Sequence, residues 1–210
     1  NAHKIKKMSL TKIAGKLFFQ GRQRELERHF TDAEGLQRRV FDYLLEHGRD
    51  TEYGRNHLFS TFKSYEDFSK HVPVNTYEAL KDDIDRMRHG ERDVLWPGQV
   101  KWFAKSSGTT NDKSKFIPVT HEGLQSIQYK GGKDVVTLYL ANNPASRIFD
   151  GRSLVLGGSH SPNYNVADSL VGDLSAILIE NIPSAANLVR VSDYGAENLH
   201  LIIQNIILYI

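Results

Sequence analysis

The sequence predicts a mixed α/β (α+β) fold, with a helical N-terminal third followed by a sheet with flanking helices. Three observations carry that reading. Apolar residues recur at helical spacing from Leu10 to Met87, a period-two alternation first appears after Pro97-Gly98, and helical and strand patterns interleave beyond it. With 210 residues, 40% of them hydrophobic and 25% charged, the chain is ordinary for a globular protein and long enough to bury a core. The change in pattern divides it into a helical portion, residues 1–96, and an α/β portion, residues 97–210, of one large domain.

Taken in order, Leu10, Ile13, Ala14, Leu17 and Phe18 fall on one face of a first helix, with Lys12 and Lys16 opposite. Leu36, Val40, Tyr43 and Leu44 mark the core face of a second, which Gly48 closes as a C-terminal glycine does. Ser64 followed by Asp67, and Asn75 followed by Glu78, read as capped helix starts. Between them "HVPVNTY" is extended, because the residue before Pro73 avoids helical torsions. The helix after Asn75 presents Tyr77, Leu80, Ile84 and Met87 to the core and stops at Gly90. Asp82, Asp83 and Asp85 read as its first-turn acids, favoured there by the helix dipole.

Val100, Trp102 and Ala104 alternate with Lys101, Phe103 and Lys105 as a strand, and "KFIPV" (115–119) is β-prone as well. Thr120 caps a helix bearing Leu124, Ile127, Val135 and Leu138. "SLVLGG" (153–158) reads as another buried strand, and Val166, Leu170, Leu174, Ile177 and Leu178 space as a final helix.

Composition excludes several classes. There are no cysteines, so disulfides and thiolate metal sites are ruled out, and the 9 histidines form no H-x-H or H-x-x-x-H pair. A formal net charge of +2 gives no global argument for nucleic acid or an anionic membrane. Asn1 to Leu17 lacks the continuous apolar run of a secretory signal, and the apolar tail "LHLIIQNIILYI" (199–210) is too short to span a bilayer. The expectation is a cytoplasmic protein with no membrane and no nucleic-acid partner. The tail is expected to bury itself against its own domain or against a second copy, giving a homo-oligomer. Nucleic-acid binding through the basic stretch Lys4 to Arg24 stays open as an alternative.

The stretch that carries chemistry is "KWFAKSSGTTNDKSKFIPVT" (101–120). Small hydroxyl residues and one glycine stand between two strand patterns. Such a loop lets the backbone approach a ligand closely and offers N–H and O–H donors to phosphate oxygens, while Lys113 and Lys115 add charge. A plain turn shares this composition. A Walker A loop is excluded, because the second glycine of G-x-x-x-x-G-K-[ST] is absent. "GGSHS" (157–161) approaches the G-x-S-x-G elbow of hydrolases, but Ser161 replaces the last glycine and the adjacent Ser159 and His160 point apart.

Three segments together resemble a known family. "TEYGRNH" (51–57), "FSKHVPVNTYEALKDDIDRMRHGE" (68–91) and "FAKSSGTTNDKSKFIPVT" (103–120) are similar to the Gretchen Hagen 3 family, the auxin-responsive acyl acid-amido synthetases, and look nearest to its bacterial branch. "LVLGGSHSPNY" and "VGDLSAILIENIPSAANLVR" (154–190) fit that branch too. The resemblance covers most of residues 35–190. Its combination of V-P-V-x-x-Y, a helix ending near I-D-R-x-x-x-G-E, and S-S-G-T is more specific than the loop alone.

The resemblance implies the adenylate-forming (acyl-CoA synthetase/luciferase-like) fold, of which this chain is an incomplete N-terminal domain. It also implies ATP and Mg²⁺, with a small carboxylic acid and an amine or amino acid as reactants. The acid attacks the α-phosphate of ATP to give an acyl-adenylate and pyrophosphate; the amine then displaces AMP to form an amide. Carried over by motif, the ATP phosphate loop is Ser106, Ser107, Gly108 and Thr109, with Thr110 and Lys115 at its trailing end. Gly158, Ser159 and His160 are the expected wall of an acyl-substrate pocket. The plant pattern continues with two glycines where this chain has Asn111 and Asp112. The family's aromatic-rich S/T-E turn, its Y-R-x-G-D segment and its mobile C-terminal domain do not occur in these residues, and the likeness stops after Arg190. The expectation is therefore a truncated chain, inactive alone; the alternative is a non-catalytic interaction remnant.

Overall fold

Helix-forming sequence runs as far as Arg88 before any strand begins. In a computed structural model that describes residues 10–106, 114–148, 155 and 157–182, with side chains from Phe19 onward, α1 spans Leu10–Thr31 and α2 Ala33–Gly48. They are followed by α3 (Glu52–Asn56), α4 (Tyr65–His71) and α5 (Tyr77–Arg88). Short polar side chains start these helices by accepting amide hydrogens that a first turn leaves unpaired. Asp32 accepts from Gly35, Thr51 from Gly54, Ser64 from Asp67 and Thr76 from Ala79.

Ser64 caps α4 as the sequence suggests, but the cap of α5 is Thr76 rather than Asn75. Asn75 is diverted into a tertiary contact, its side-chain amide donating to the Tyr53 hydroxyl over 2.7 Å. Because α5 begins at Tyr77, Glu78 is its first-turn acid. Asp82, Asp83 and Asp85 lie beyond that turn, where Asp83 pairs with Arg86 and Asp85 with Arg88. The expected core face of α5 is present: Ile84 and Met87 are buried, with Tyr77 and Leu80 packed beside them, and Gly90 leaves the helix at φ +91°.

The second helix turns a different face inward. Val40, Tyr43 and Leu44 are exposed, while Leu45 and Gly48 are buried. Its neighbours are aromatic. The Phe68 ring of α4 is met by Phe41 at 5.6 Å and by Phe59 and Phe62 at 5.9 Å each. Edge-to-face and tilted ring pairs at such distances favour one rotation of the helix over others. α2 does end at Gly48, as the sequence suggests, but the Arg49 cap is right-handed and Gly48 itself is not left-handed, so the glycine does not close the helix by a left-handed turn. Small size is what the site needs: a side chain on Gly48 would meet the Phe59 ring at 3.2 Å, and one on Gly54 of α3 would meet the Gly48 carbonyl oxygen at 2.0 Å.

Among the described residues three strands form the sheet, β1 (Trp102–Lys105), β2 (Phe116–Val119) and β3 (Leu170–Gly172), in the order β2-β1-β3. β2 runs antiparallel to β1 and β3 parallel to it. Residues 159–161 continue the sheet beyond β3: His160 stands opposite Gly172, the Ser161 amide donates to the Val171 carbonyl over 2.7 Å, and the Asp173 amide donates to that of Ser159 over 2.9 Å.

The helix expected across 166–178 is two elements. Leu170–Gly172 is strand, and α8 covers only Leu174–Glu180. The helical spacing of Val166, Leu170 and Leu174 is coincidental. Val171, off that face, is 1% exposed between Phe103 and α5, as a strand covered on both sides requires.

Both faces of the sheet are covered. Phe103 and Val171 join Ile84, Met87, Val94 and Val100 on the α5 side, and Ala104 joins Leu124 and Ile177 on the other. The alternation in β1 thus separates two apolar layers, with Phe103 completely buried.

On the second side, α6 (His121–Gly123), a π turn (Leu124–Tyr129) and α7 (Lys130–Asn142) run on continuously from the Thr120 cap. Leu124 is buried, but Ile127, Val135 and Leu138 are 68%, 69% and 48% exposed. A π turn winds more residues per turn than an α-helix, so apolar residues on either side of it no longer share a face. α1 packs against α7 through Arg22, which is 6% exposed. Its Nε and Nη2 donate to the two carboxylate oxygens of Asp134 over 2.5 and 2.9 Å, and Nη1 donates to Glu25. This pairing lowers the Asp134 pKa from its ordinary value and raises that of Arg22. The side chains of Leu10 to Phe18, most of the 153–158 segment and the tail 199–210 lie outside the described residues.

Candidate functional site

The two strands β1 and β2 lead into and out of the loop singled out in the sequence. Ser106 and Lys115 close its base. The Ser106 amide donates to the Lys115 carbonyl over 2.9 Å, and the Lys115 amide donates back to Ser106 Oγ over 3.1 Å. Ser106 and Lys115 are therefore brought together, with the Ser106 hydroxyl accepting from the hairpin's own backbone. Ser107, Gly108, Thr109 and Thr110 lie outside the described residues.

The first residue of α5 anchors the trailing strand. Tyr77 OH accepts from the Phe116 amide over 2.9 Å, and the Lys115 ammonium stands 5.2 Å from the centre of the Tyr77 ring.

Parallel pairing places the carboxyl ends of β1 and β3 at one edge of the sheet. Ligands of open α/β sheets bind outside such edges. Beyond β3, the Asp173 carboxylate accepts from the Ser159 amide over 3.0 Å and the Ser175 hydroxyl accepts from the Gly158 amide over 2.8 Å. A side chain on Gly158 would overlap the Asp173 carboxylate at 2.1 Å. The amides of Gly158 and Ser159 are thus engaged in joining the 157–161 segment to the start of α8. His160 is half-buried, its ring 5.6 Å from that of Trp102.

Sequence reasoning missed a set of cations seated on aromatic rings around the hairpin base. The Lys105 ammonium lies 4.1 Å from the centre of the Tyr164 ring, and the Arg88 guanidinium lies 3.8 Å over that of Phe116. Those two rings are 5.9 Å apart. Arg88 also donates to the Tyr164 carbonyl over 2.9 Å and pairs with Asp85 at 3.2 Å, while its Nε is buried without a hydrogen-bond partner. The only local signal was Lys105 preceding Ser106; nothing in spacing links Tyr164 or Arg88 to the loop.

A cavity of about 300 Å³ opens near the other end of β1, lined by Trp96, Trp102, Val119, His121, Leu124 and Asn181 among others. A wider depression of about 1540 Å³ lies between α1, α2 and α4, lined by residues such as Arg22, Phe41, Leu44 and Tyr65. None of its lining residues belongs to the sheet or the hairpin base, so size alone does not mark the site. Among the described residues no group of three His, Asp or Glu is placed to hold a metal ion. These residues do not build a Mg²⁺ site of their own; Mg²⁺ accompanying a nucleotide is held largely by phosphate oxygens and water. Among the described residues no helix is long and apolar enough to cross a membrane.

A mixed sheet covered by helices, with the Ser106–Lys115 connection at the carboxyl end of β1, defines an α/β domain. Residues 22–204 match the GH3 family N-terminal domain, so the likeness runs past Arg190, where the sequence reading ended it, and the chain belongs to that family. It is 34% identical over 95 residues to the indole-3-acetic acid-amido synthetase GH3.6 of Arabidopsis thaliana, covering 45% of this chain and 16% of that protein. A probable indole-3-acetic acid-amido synthetase, GH3.2 of Oryza sativa subsp. japonica, is 31% identical over 119 residues, 55% of this chain and 19% of its own length. Among solved structures, the GH3.15 acyl acid amido synthetase superposes with a TM-score of 0.61 at 26% identity, over 80% of this chain and 29% of that one. The same synthetase in complex with 2,4-DB gives 0.65 at 24% identity, over 78% and 28%. The fold is that of the N-terminal region of these adenylate-forming enzymes. The chain spans under a fifth of the length of these two curated relatives.

Proposed function

We propose that this chain carries the phosphate loop of an ATP-dependent acyl acid-amido synthetase. One observation carries the reading: the Ser106–Lys115 connection is closed at its base and stands at the carboxyl end of β1 in a GH3-family domain. The relatives' names, indole-3-acetic acid-amido synthetase and acyl acid amido synthetase, support a small carboxylic acid and an amine, such as an amino acid's, as the reactants. The absence of cysteine and the need for ATP support a cytoplasmic location. The segments "LVLGGSHSPNY" and "VGDLSAILIENIPSAANLVR" support the bacterial branch of the family.

In the first step a carboxylate oxygen bonds to the α-phosphorus, and the bond to the bridging oxygen breaks with its electron pair leaving on pyrophosphate. In the second, an amine nitrogen attacks the acyl carbon and AMP departs. Donors from Ser106 to Thr110 and the charge of Lys115 act by orienting the polyphosphate and offsetting its negative charge, the dominant contributions in phosphoryl chemistry. Mg²⁺, held by phosphate oxygens and water rather than by these residues, would add charge neutralisation when bound with the nucleotide. Gly158 and Ser159 contribute shape rather than free donors to an acyl pocket, since their amides are taken, and His160 with Trp102 forms its flank.

Adenylation needs several groups in place at once, and a polypeptide of these 210 residues covers a small share of its relatives. The expected result is ATP binding without carboxylate-dependent ATP–pyrophosphate exchange. Titration with a fluorescent ATP analogue should show binding that weakens about tenfold in Lys115→Ala, the value of one charge-assisted contact. A wild-type chain that does not bind the analogue overturns the reading, and robust exchange overturns the expected inactivity.

A further inference from the structure

We propose that Lys105 is a positioning residue for the pyrophosphate portion of the nucleotide, held at the hairpin base by the Tyr164 ring. The inference rests on the phosphate-loop reading above but concerns a residue outside that loop.

Lys105 ends β1 and pairs in register with Phe116, on the sheet face that carries Phe103 toward α5. Its ammonium meets an aromatic face, and among the described residues it has no carboxylate partner. Lys115 on Tyr77 and Arg88 on Phe116 repeat the arrangement, and of the three only Arg88 is paired with a carboxylate, that of Asp85. Three cations thus face one carboxylate around the mouth of the hairpin.

A ring face orients a cation and attracts it weakly but does not neutralise it. The excess charge is complementary to a polyanion, and two ammoniums on the two strands of one hairpin suit a spread anion better than a single carboxylate. Most of the negative charge of a triphosphate sits on its β- and γ-phosphates, the part that two ammoniums match best. As the α-phosphorus bond to the bridging oxygen breaks and its electron pair passes to pyrophosphate, Lys105 offsets the developing charge and exchanges no proton. Arg88 supports this indirectly by fixing Tyr164 through its carbonyl.

Isothermal titration of the 210-residue chain with inorganic pyrophosphate, ATP and AMP, each with Mg²⁺, tests the assignment. Lys105→Met and Lys105→Gln should weaken pyrophosphate and ATP about tenfold, equivalent to about 1.4 kcal/mol, and leave AMP unchanged. Lys105→Arg should restore binding to within about threefold of wild type, since the charge is kept. Lys101→Met, which removes an exposed lysine at the opposite end of β1, should change nothing. Wild-type affinity for ATP and pyrophosphate in both neutral variants overturns the inference and leaves the loop reading standing. An equal loss for AMP also overturns it, as a general disturbance of the hairpin. Lys105-dependent pyrophosphate binding by a chain that does not bind ATP supports the role of Lys105 and overturns the loop reading instead. Failure of the wild-type chain to bind any of the three overturns both.

Discussion

The two faces of the chain's helical cover are built on opposite terms. On the sheet, Phe103 and Ile177 are completely buried, Met87 and Val171 are 1% exposed, and the contacts are apolar. Along α1, α2, the π turn and α7, Val40, Ile127 and Val135 are each more than half exposed, and a central contact is the ion pair of the buried Arg22 with the partly exposed Asp134. A sheet covered on both sides offers apolar surface to whatever crosses it, so side chains there lose nearly all their contact with water. Helices remote from it meet one another over a narrow strip, and a charged side chain with a long apolar stem can fill that strip while its head finds a partner. Apolar residues in the helical layer are therefore not automatically core residues, and the measurements below separate the two regimes.

The largest effect should come from the sheet. Phe103→Ala removes a ring that touches both α5 and the strand beside it, and should cost about 3–5 kcal/mol of unfolding free energy. Urea titration followed by circular dichroism reads this as a lower midpoint at unchanged slope. A loss under about 1 kcal/mol would mean that the sheet's two apolar layers do not cooperate, and the contrast drawn above would disappear.

The helix α5 was legible in the sequence because its neighbour is this sheet: Tyr77, Leu80, Ile84 and Met87 face the layer that gives the 3.6-residue pattern its meaning. The strands β1 and β2 were legible for the same reason, since Val100 to Lys105 and "KFIPV" flank a turn-forming run. Three features were hidden. The aromatic contacts among Phe41, Phe59, Phe62 and Phe68 rotate α2, and no pattern within α2 reports what α4 will present to it. The π turn at Leu124–Tyr129 shifts the phase of α7 and leaves no local mark. β3 is three residues long, too short for its period to be distinguished from the helical spacing around it. At the hairpin base, the meeting of Ser106 with Lys115 follows from the two strand patterns that flank the loop, whereas Arg88 and Tyr164 come from distant segments and meet only after folding.

The ion-paired side should respond to charge and pH. Arg22→Met keeps the apolar stem but leaves Asp134 without its partner; because the Asp134 side chain is 24% exposed and water can reach it, the loss should be about 1–2 kcal/mol. Arg22 holds the folded-state pKa of Asp134, and that of Glu25, below their ordinary values. A carboxylate depressed in the folded state binds fewer protons there than in the unfolded chain. Its stabilisation is thus fully present above the unfolded pKa, about 4, and disappears as pH falls through the folded value. Unfolding midpoints measured between pH 7 and pH 3 should fall for the wild type and fall less steeply for Arg22→Met. Parallel curves would show that the pair contributes nothing to the docking of α1 on α7.

The smallest effect should come from the exposed face of α7. Val135 keeps 69% of its surface and lies beyond the π turn, on a side of the helix that the sheet does not reach. Replacing it with lysine removes little buried area and substitutes a residue that forms helix somewhat better than valine, so the stability of this chain should change by no more than about 0.5 kcal/mol. The equivalent change at Leu124, 3% exposed on the same continuous run, forces a charge into the apolar layer with Ala104 and Ile177 and should prevent stable folding. The two variants differ in position by only eleven residues and in sequence character hardly at all; what separates them is the phase shift at 124–129. Thermal melts of Val135→Lys and Leu124→Lys measured together therefore read that phase directly. If Val135→Lys melts as far below the wild type as Leu124→Lys does, both residues share one buried face, the helix is regular through the turn, and the spacing read from sequence was right after all.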